Sequence, residues 1–254
     1  MTDEKKVGIA VDDYDAAHAG VQASPLMQRL WAQAMGDDYP HGVEPFSACS
    51  WWMLGNIVAT LRLRPGGRLV DLGCGRGGPG LWLARALSAR LTGIDFSAVA
   101  VELASQRSAD FVAPGQAEFR QGTFAKTGLP ADYADGIVSV DALPFAPDRP
   151  AAFREARRIL KPGGRFVLTV REQPAGADSW ESMAAGAGLE VEQLLLNENH
   201  HEFWLRLFAL WQSHADELRA ELGERAAENF LLESRQPRSA LEERPAYLMV
   251  LCRR

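Results

Sequence analysis

The stretch Leu69-Val-Asp-Leu-Gly-Cys-Gly-Arg-Gly-Gly-Pro-Gly80 constrains this chain more than any other. A short apolar run ends at Leu72. Gly73, Gly75 and Gly78 follow in G-x-G-x-x-G spacing, and a helical pattern begins just after them. Without a Cβ, glycines permit a sharp turn and let a ligand approach the main chain; the helix start beyond them presents amides with no intrahelical partner. A strand, a bare bend and a helix in that order belong to α/β folds that bind ligands beyond the carboxyl ends of parallel strands. Nicotinamide-binding proteins share the spacing, so the spacing alone leaves the ligand open.

Two acids narrow it. Asp71 lies inside the strand, two residues before Gly73, where a carboxylate attracts a cationic amino group and repels a pyrophosphate. Asp95 ends the next apolar run, about 20 residues on, where a carboxylate can accept both ribose hydroxyls. The pair suits a nucleoside that carries an amino acid, and S-adenosylmethionine is that molecule. Cys74, inside the loop, reads as a small buried filler.

The surrounding pattern agrees with a mostly parallel sheet. Short apolar runs at 68–72, 91–95, 117–121, 136–140 and 165–170 alternate with helical patterns at 80–88, 98–108 and 150–160. Lys161-Pro-Gly-Gly164 supplies a helix stop and a tight turn. Beyond Val170 we expect a helix over 179–188, a strand over 190–196, one or two helices over 202–233 and a last strand over 247–252. The 202–233 helices separate two strands of one sheet, so they read as an insertion covering its carboxyl edge. Ahead of the sheet, the first forty residues read as helical and polar, with breaks at Gly20, Pro25 and Gly36-Asp-Asp-Tyr-Pro-His-Gly42. A second helix is expected from Ser47, as N-cap, to Leu61, stopped by Pro65-Gly-Gly67.

Val70-Asp-Leu-Gly-Cys-Gly-Arg-Gly77, Gly93-Ile-Asp-Phe-Ser97 and Leu160-Lys-Pro-Gly-Gly-Arg165 resemble, in order, the motifs of class I S-adenosylmethionine-dependent methyltransferases. The likeness is strongest to the bacterial small-molecule branch that includes the ubiquinone-biosynthesis type, and covers residues 62–170 well and the termini poorly. It implies a Rossmann-like α/β fold: a seven-stranded, mostly parallel sheet with the last strand antiparallel. A helical N-terminal lid region (1–61) would precede a cofactor-binding domain (62–254). The resemblance puts the methionine end of S-adenosylmethionine on Asp71, Gly73 and Gly75, the ribose on Asp95, and Phe96 beside the adenine. In Gly122-Thr-Phe124, Thr123 replaces an aspartate that the family often uses at the adenine edge, while Phe124 can pack on the ring. Val140 and Asp141 end the fourth strand, where the family lines the cleft beside the sulfonium.

Methyl transfer from a sulfonium needs an in-line acceptor and a dry cleft; a base is needed only where the acceptor must lose a proton. The family often has a histidine beyond the fourth strand. Leu143-Pro-Phe-Ala-Pro-Asp-Arg149 has none, so a base must come from elsewhere. His41, in the turn-rich Tyr39-Pro-His-Gly-Val-Glu-Pro45, and His200 and His201, after the 190–196 strand, are the candidates. By position relative to the motifs we take His41 as catalytic, with Asp141 as a second polar group. Asp141 also reads as a cap for the helix that follows, and Tyr14 as a surface residue or a closure over the methionine end. Phe203-Trp-Leu-Arg-Leu-Phe-Ala-Leu-Trp211 is apolar around much of a helix; it suits a cap on the sheet edge, a wall for an aromatic or apolar acceptor, or a homodimer contact.

Composition bounds the alternatives. The formal net charge of −6 argues against a nucleic-acid partner. No apolar run reaches the roughly 18 residues that a membrane span needs, and no secretory signal is visible, so a cytoplasmic protein with no membrane partner is expected. Three scattered cysteines and no clustered ligands predict no metal site. The expected activity is methylation of a small organic acceptor, in bacterial specialised metabolism. The rival is a protein of this fold that binds the cofactor but acts as a cyclase or ligand-binding module. A nicotinamide oxidoreductase rests on glycine spacing alone.

Overall fold

A computed structural model describes residues 24–45, 47–171, 176, 179–236, 239 and 245–254. Tyr14 and His18 lie outside the described residues. In chain order the elements are α1 (Pro25–Met35), α2 (Trp51–Leu61), β1 (Arg68–Leu72), α3 (Gly78–Leu87), β2 (Arg90–Asp95), α4 (Ala98–Arg107), β3 (Ala117–Gln121), β4 (Ala134–Ser139), α5 (Arg149–Ile159), β5 (Leu160–Arg171), α6 (Trp180–Gly186), β6 (Glu190–Leu196), α7 (His200–Ser213), α8 (Ala215–Leu222), α9 (Glu224–Ser234) and β7 (Ala246–Cys252). The seven strands form one sheet in the order β3-β2-β1-β4-β5-β7-β6. β1 to β5 run parallel, and β7 is antiparallel to both β5 and β6, as the sequence motifs imply.

Period-two alternation divides the sheet's side chains between two cores. Val70, Ile137, Phe166 and Leu168 pack with Phe153 of α5 and Trp180 of α6 on one face. Leu69, Val138 and Val167 pack with Leu54 and Ile57 of α2 and Leu81 of α3 on the other. Because β1 lies between β2 and β4, the carboxyl ends of these three strands meet on one edge, and the glycine loop sits among them.

A third core lies outside the sheet. Leu26, Met27, Leu30 and Trp31 of α1 pack with Phe203, Trp204, Leu207, Phe208 and Trp211 of α7, and with residues of α8 and α9. Ser24 caps α1 and donates to Glu221 Oε2 at 2.6 Å, while the same carboxylate oxygen accepts from Leu26 N at 3.2 Å. Helix α1 and the inserted helices α7–α9 thus pack into one helical layer, the region expected to act as a lid.

Several boundaries differ from the sequence expectations. Pro25 does not break a helix but opens one, since proline costs nothing where the N–H would be unpaired; that helix is largely buried rather than polar. The second helix is capped by Ser50, not Ser47; Ser50 Oγ accepts from Met53 N, and Asp38 accepts from Trp52 N at 2.9 Å. Strand β4 stops at Ser139, leaving Val140 beyond it, and β5 starts at Leu160, with Lys161-Pro-Gly-Gly164 taken up by a register shift against β4. The insertion holds three helices, not one or two, starting at His200. The apolar face of 203–211 packs on α1 of the same chain, so the face invoked for a dimer is covered from within.

The 122–129 loop, which carries Phe124, is pinned from below. Glu155 Oε1 accepts from Thr127 N at 3.0 Å and from Thr127 Oγ1 at 2.5 Å, and Arg158 donates to both carboxylate oxygens. Burial pushes the Glu155 pKa up, but the Arg158 and Thr127 hydrogen bonds outweigh it and hold the group at about 2. Glu155→Gln is expected to lose about 1.5–3 kcal/mol in urea unfolding at neutral pH. A depressed carboxylate contributes its stability above its unfolded pKa. The deficit should therefore shrink as pH falls below about 4.5 and vanish near pH 2.

Candidate functional site

The glycine loop hangs from the end of β2. Gly73 N and Cys74 N both donate to Ile94 O, at 2.8 and 3.1 Å. Gly73 has φ +75°, and a Cβ there would fall 2.4 Å from the Ala142 Cβ and 3.0 Å from the Phe124 ring. Only glycine lets the loop, the residue after Asp141 and Phe124 converge. Asp95 fixes the same loop: its Oδ2 accepts from Gly75 N at 2.8 Å and its Oδ1 from Ser97 N at 3.0 Å. It is 2% exposed. The acid expected to hold a ribose therefore clamps the bend to the start of α4.

Asp71 is 3% exposed, and no hydrogen bond reaches its carboxylate among the described residues. A Cβ at residue 80 would come within 2.4 Å of Asp71 Oδ2, so Gly80 makes room for the acid beside the first turn of α3. Burial first, and the Asp95 charge second, push its pKa up to about 7. A buried carboxylate with no donor is costly, and a cationic group placed beside it would relieve that cost.

A strap formed by residues 39–45 and 47–50 crosses this edge. Arg107 donates to Val43 O at 3.0 Å and to Arg76 O at 3.2 Å, and pairs with Glu44 at 3.7 Å. Arg76 Nη2 donates to Glu44 O at 3.4 Å; burial, then the neighbouring Arg107 charge, lower its pKa to about 10. At the far end, Asp141 Oδ2 accepts from Ala48 N at 2.8 Å. Cys49, fully buried beside Ala48, has its thiol pKa pushed well up by burial and then by the charges of Asp141 and Asp71. The strap thus spans from the glycine loop to the end of β4. Arg76, Arg107 and Ala48 were not foreseen, because these links depend on residues far apart in the chain.

The structure brings Asp71, Gly73, Gly75, Asp95 and Phe124 around one loop. Phe96 is half-buried after β2, and Gln121 donates to its carbonyl. Thr123 is exposed, its main chain paired with Lys126 in a tight turn. Val140 is half-buried against the α2–α3 core. Asp141 adopts φ +50°, and its N–H donates to Thr169 Oγ1 at 2.6 Å. It does not cap the next helix: Asp148 caps α5, and Asp141 is engaged with the strap. His41 is exposed, with its ring edge-on to Tyr39 at 4.9 Å. No hydrogen bond or ion pair joins His41 to Asp141 among the described residues.

His200 stands apart from the other histidines. It begins α7, is 6% exposed, and neither ring nitrogen has a hydrogen-bond partner. Burial, then Arg171 at the end of β5, lower its pKa to about 4; Asp141 opposes and His201 adds to the shift. Trp204 lies edge-on at 6.2 Å, and the Arg171 guanidinium sits 5.9 Å from the Trp204 ring centre. One signal was present in the sequence: His200 shares the helical face of Phe203, Trp204, Leu207 and Trp211. The strand and helix ends that surround it were not readable there.

Comparison with known proteins agrees with this geometry. A family model described as a methyltransferase domain matches residues 70–168. A 27-O-demethylrifamycin SV methyltransferase from Amycolatopsis mediterranei is 29% identical over 174 residues, 65% of this chain and 62% of that protein. The matches span only 34–62% of the length of the first three curated relatives. Among solved structures, the cyclopropane synthase MmaA2 from Mycobacterium tuberculosis aligns with TM-score 0.73 at 16% identity, over 96% of this chain and 99% of that one. The [4+2]-cyclase SpnF aligns with TM-score 0.71 at 20% identity, over 90% and 92%. Their likeness is one of fold. Residues 70–168, which hold the glycine loop and the strand ends around it, match the methyltransferase-domain family, and the rest of the chain shares the fold of these neighbours.

The residues present fit S-adenosylmethionine: an unpartnered buried carboxylate for the amine, a bare bend for close approach, and a buried acid at the end of β2 beside that bend for the ribose. No helix of the described residues is long and apolar enough to cross a membrane. Because Asp71 sits near pH 7, S-adenosylmethionine affinity measured by calorimetry should rise from pH 6 to pH 8, with proton release on binding. Asp71→Asn should abolish that pH dependence and weaken binding. With a folded pKa above its unfolded value, ionised Asp71 costs the free protein stability as pH rises from about 4 to 7. The variant should therefore melt higher than the parent at pH 8.

Proposed function

We propose that this protein transfers the methyl group of S-adenosylmethionine to a small organic acceptor. The unpartnered Asp71 carboxylate beside the glycine loop carries the reading, because it favours a cationic aminoacyl nucleoside over a dinucleotide. The bound cofactor supplies an electrophilic methyl group on sulfur. Asp71, Gly73 and Gly75 hold its amino-acid end, Asp95 the ribose, and Phe96, Thr123 and Phe124 flank the adenine. Val140 and Asp141 line the approach to the sulfur. The 39–50 strap and the lid helices exclude water, and alignment inside a dry cleft is most of what methyl transfer requires.

The relative that acts on 27-O-demethylrifamycin SV supports a small-molecule acceptor in bacterial specialised metabolism, handled in the cytoplasm. Proton removal, where the acceptor needs it, falls to a histidine. If His41→Ala keeps full turnover between about pH 6 and pH 9, that proton does not pass to His41.

A second reading draws on the likeness to the [4+2]-cyclase SpnF: the fold keeps its cofactor and shapes a reaction without methylating. Product mass separates them. Methylation adds one methyl group and yields S-adenosylhomocysteine; cyclisation leaves the mass unchanged. Asp95→Ala should weaken S-adenosylmethionine binding by about 1.5–3 kcal/mol, the range for a hydrogen bond to a charged group. Calorimetry showing parental affinity would remove Asp95 from the ribose site.

A further inference from the structure

The first turn of α3 has two bare positions, and each receives a different neighbour. A Cβ at Gly78 would fall 2.4 Å from Val43 O of the strap, and one at Gly80 would fall 2.4 Å from Asp71 Oδ2. Strap and acid are thus seated on the same turn, two residues apart. Val43 and Cys49 of the strap are fully buried, and Asp71 is 3% exposed. The titratable groups around Asp71 come from each element packed near it. Asp95 ends β2, Cys74 lies in the loop and Cys49 in the strap, while Asp141, beyond β4, acts on Cys49 as well. None of these is a cation, so burial and then the Asp95 charge push the Asp71 carboxyl up to about 7.

On either side of Val43 the strap is left-handed: Gly42 has φ +81° and Glu44, which is not a glycine, φ +50°. A glutamate in that region costs energy unless its surroundings fix it. Arg107, the last residue of α4, fixes it from outside both strap and loop. Its Nη2 donates to Val43 O at 3.0 Å, its Nη1 to Arg76 O at 3.2 Å, and the guanidinium pairs with the Glu44 carboxylate at 3.7 Å. Arg76 adds a bond to Glu44 O at 3.4 Å. Burial lowers the Arg107 pKa, and the charges of Glu44, Asp110 and Tyr39 oppose it. At the strap's other end Asp141 holds Ala48 N, next to Cys49. Asp71 thus touches the turn that seats one end of the strap and acts on the residue beside the other.

We propose that Arg107 is a positioning residue: by holding Val43 on the first turn of α3 it keeps the strap closed against water at Asp71, and so governs how long a cationic aminoacyl nucleoside stays at the loop. This rests on the reading that S-adenosylmethionine binds there. With the strap fastened, no other donor competes for the carboxylate, and the ligand's ammonium group becomes its partner. With the strap loosened, water reaches the carboxylate, keeps it ionised at lower pH and competes with the ammonium group. The fastening runs mainly through main-chain carbonyls, so the Glu44 carboxylate, partly exposed and 3.7 Å away, contributes little.

The test uses the full chain and S-adenosylhomocysteine, which carries the same amino-acid end. Calorimetry should show the parent's affinity rising about tenfold from pH 6 to pH 8, as a carboxyl titrating near neutrality requires. In Arg107→Met that rise should flatten to less than about threefold, and stopped-flow displacement at pH 8 should show release faster by about tenfold or more. Gly78→Ala displaces Val43 O while leaving Arg107 in place; it should flatten the profile and speed release in the same way, even if Arg107→Met fails to fold. Glu44→Gln spares the carbonyl bonds, so its release rate should stay within about threefold of the parent's. Weaker binding in Arg107→Met with the parent's pH dependence intact would mean a structural role and overturn the proposal. So would parental release by Gly78→Ala, release from Glu44→Gln as fast as from Arg107→Met, or a parent affinity that is flat from pH 6 to pH 8. A parent that binds neither S-adenosylhomocysteine nor S-adenosylmethionine would instead overturn the methyl-transfer reading itself.

Discussion

A carboxylate held out of water without a hydrogen-bond donor is the constraint around which this structure is arranged. Asp71 must sit inside β1 to face the loop, and Gly80 must lack a side chain for it to fit. Burial and the like charge of Asp95 raise its proton affinity until it titrates near neutrality. Folding tolerates this because the strand around it is fixed on both sides by β2 and β4 and buried on both faces. The free protein thus carries an electrostatic cost that a cationic ligand removes.

Asp95 and Asp141 show the same economy of design at neighbouring strand ends. Each is a carboxylate that holds main-chain amides: Asp95 those of Gly75 and Ser97, Asp141 that of Ala48. Asp95 keeps the bend open in the shape a ligand needs, while Asp141 closes the strap over it. The left-handed backbone at Asp141, supported by the Thr169 hydroxyl, aims its side chain toward the strap. Arg76 and Arg107 secure the other end of the strap through carbonyl oxygens, so closure depends on main-chain positions more than on the identity of the strap's side chains.

The lid has its own aromatic core and meets the sheet at the Arg171–Trp204 contact and at His200. Arg171 stands at the last position of β5, where the strand leaves the sheet beneath α7. The lid core is thus separate from the two sheet cores that hold the strands around the loop.

The alternation of strands and helices, the glycine loop, Asp71 and Asp95 were legible in the sequence, because each is a local pattern: period two, period 3.6, or residue types at fixed spacing. The antiparallel last strand followed from the family resemblance. Helix starts were less secure, since Ser47 and Ser50 are equally good caps by type, and only Asp38 reaching Trp52 N favours the second. Beyond local pattern, the sequence could not tell an exposed His41 from a buried His200, or a capping Asp141 from one that fastens Ala48. Those distinctions arise where β4, β5, the strap and α7 converge. Burial and charge proximity are properties of neighbours distant in the chain, and tertiary packing alone decides them.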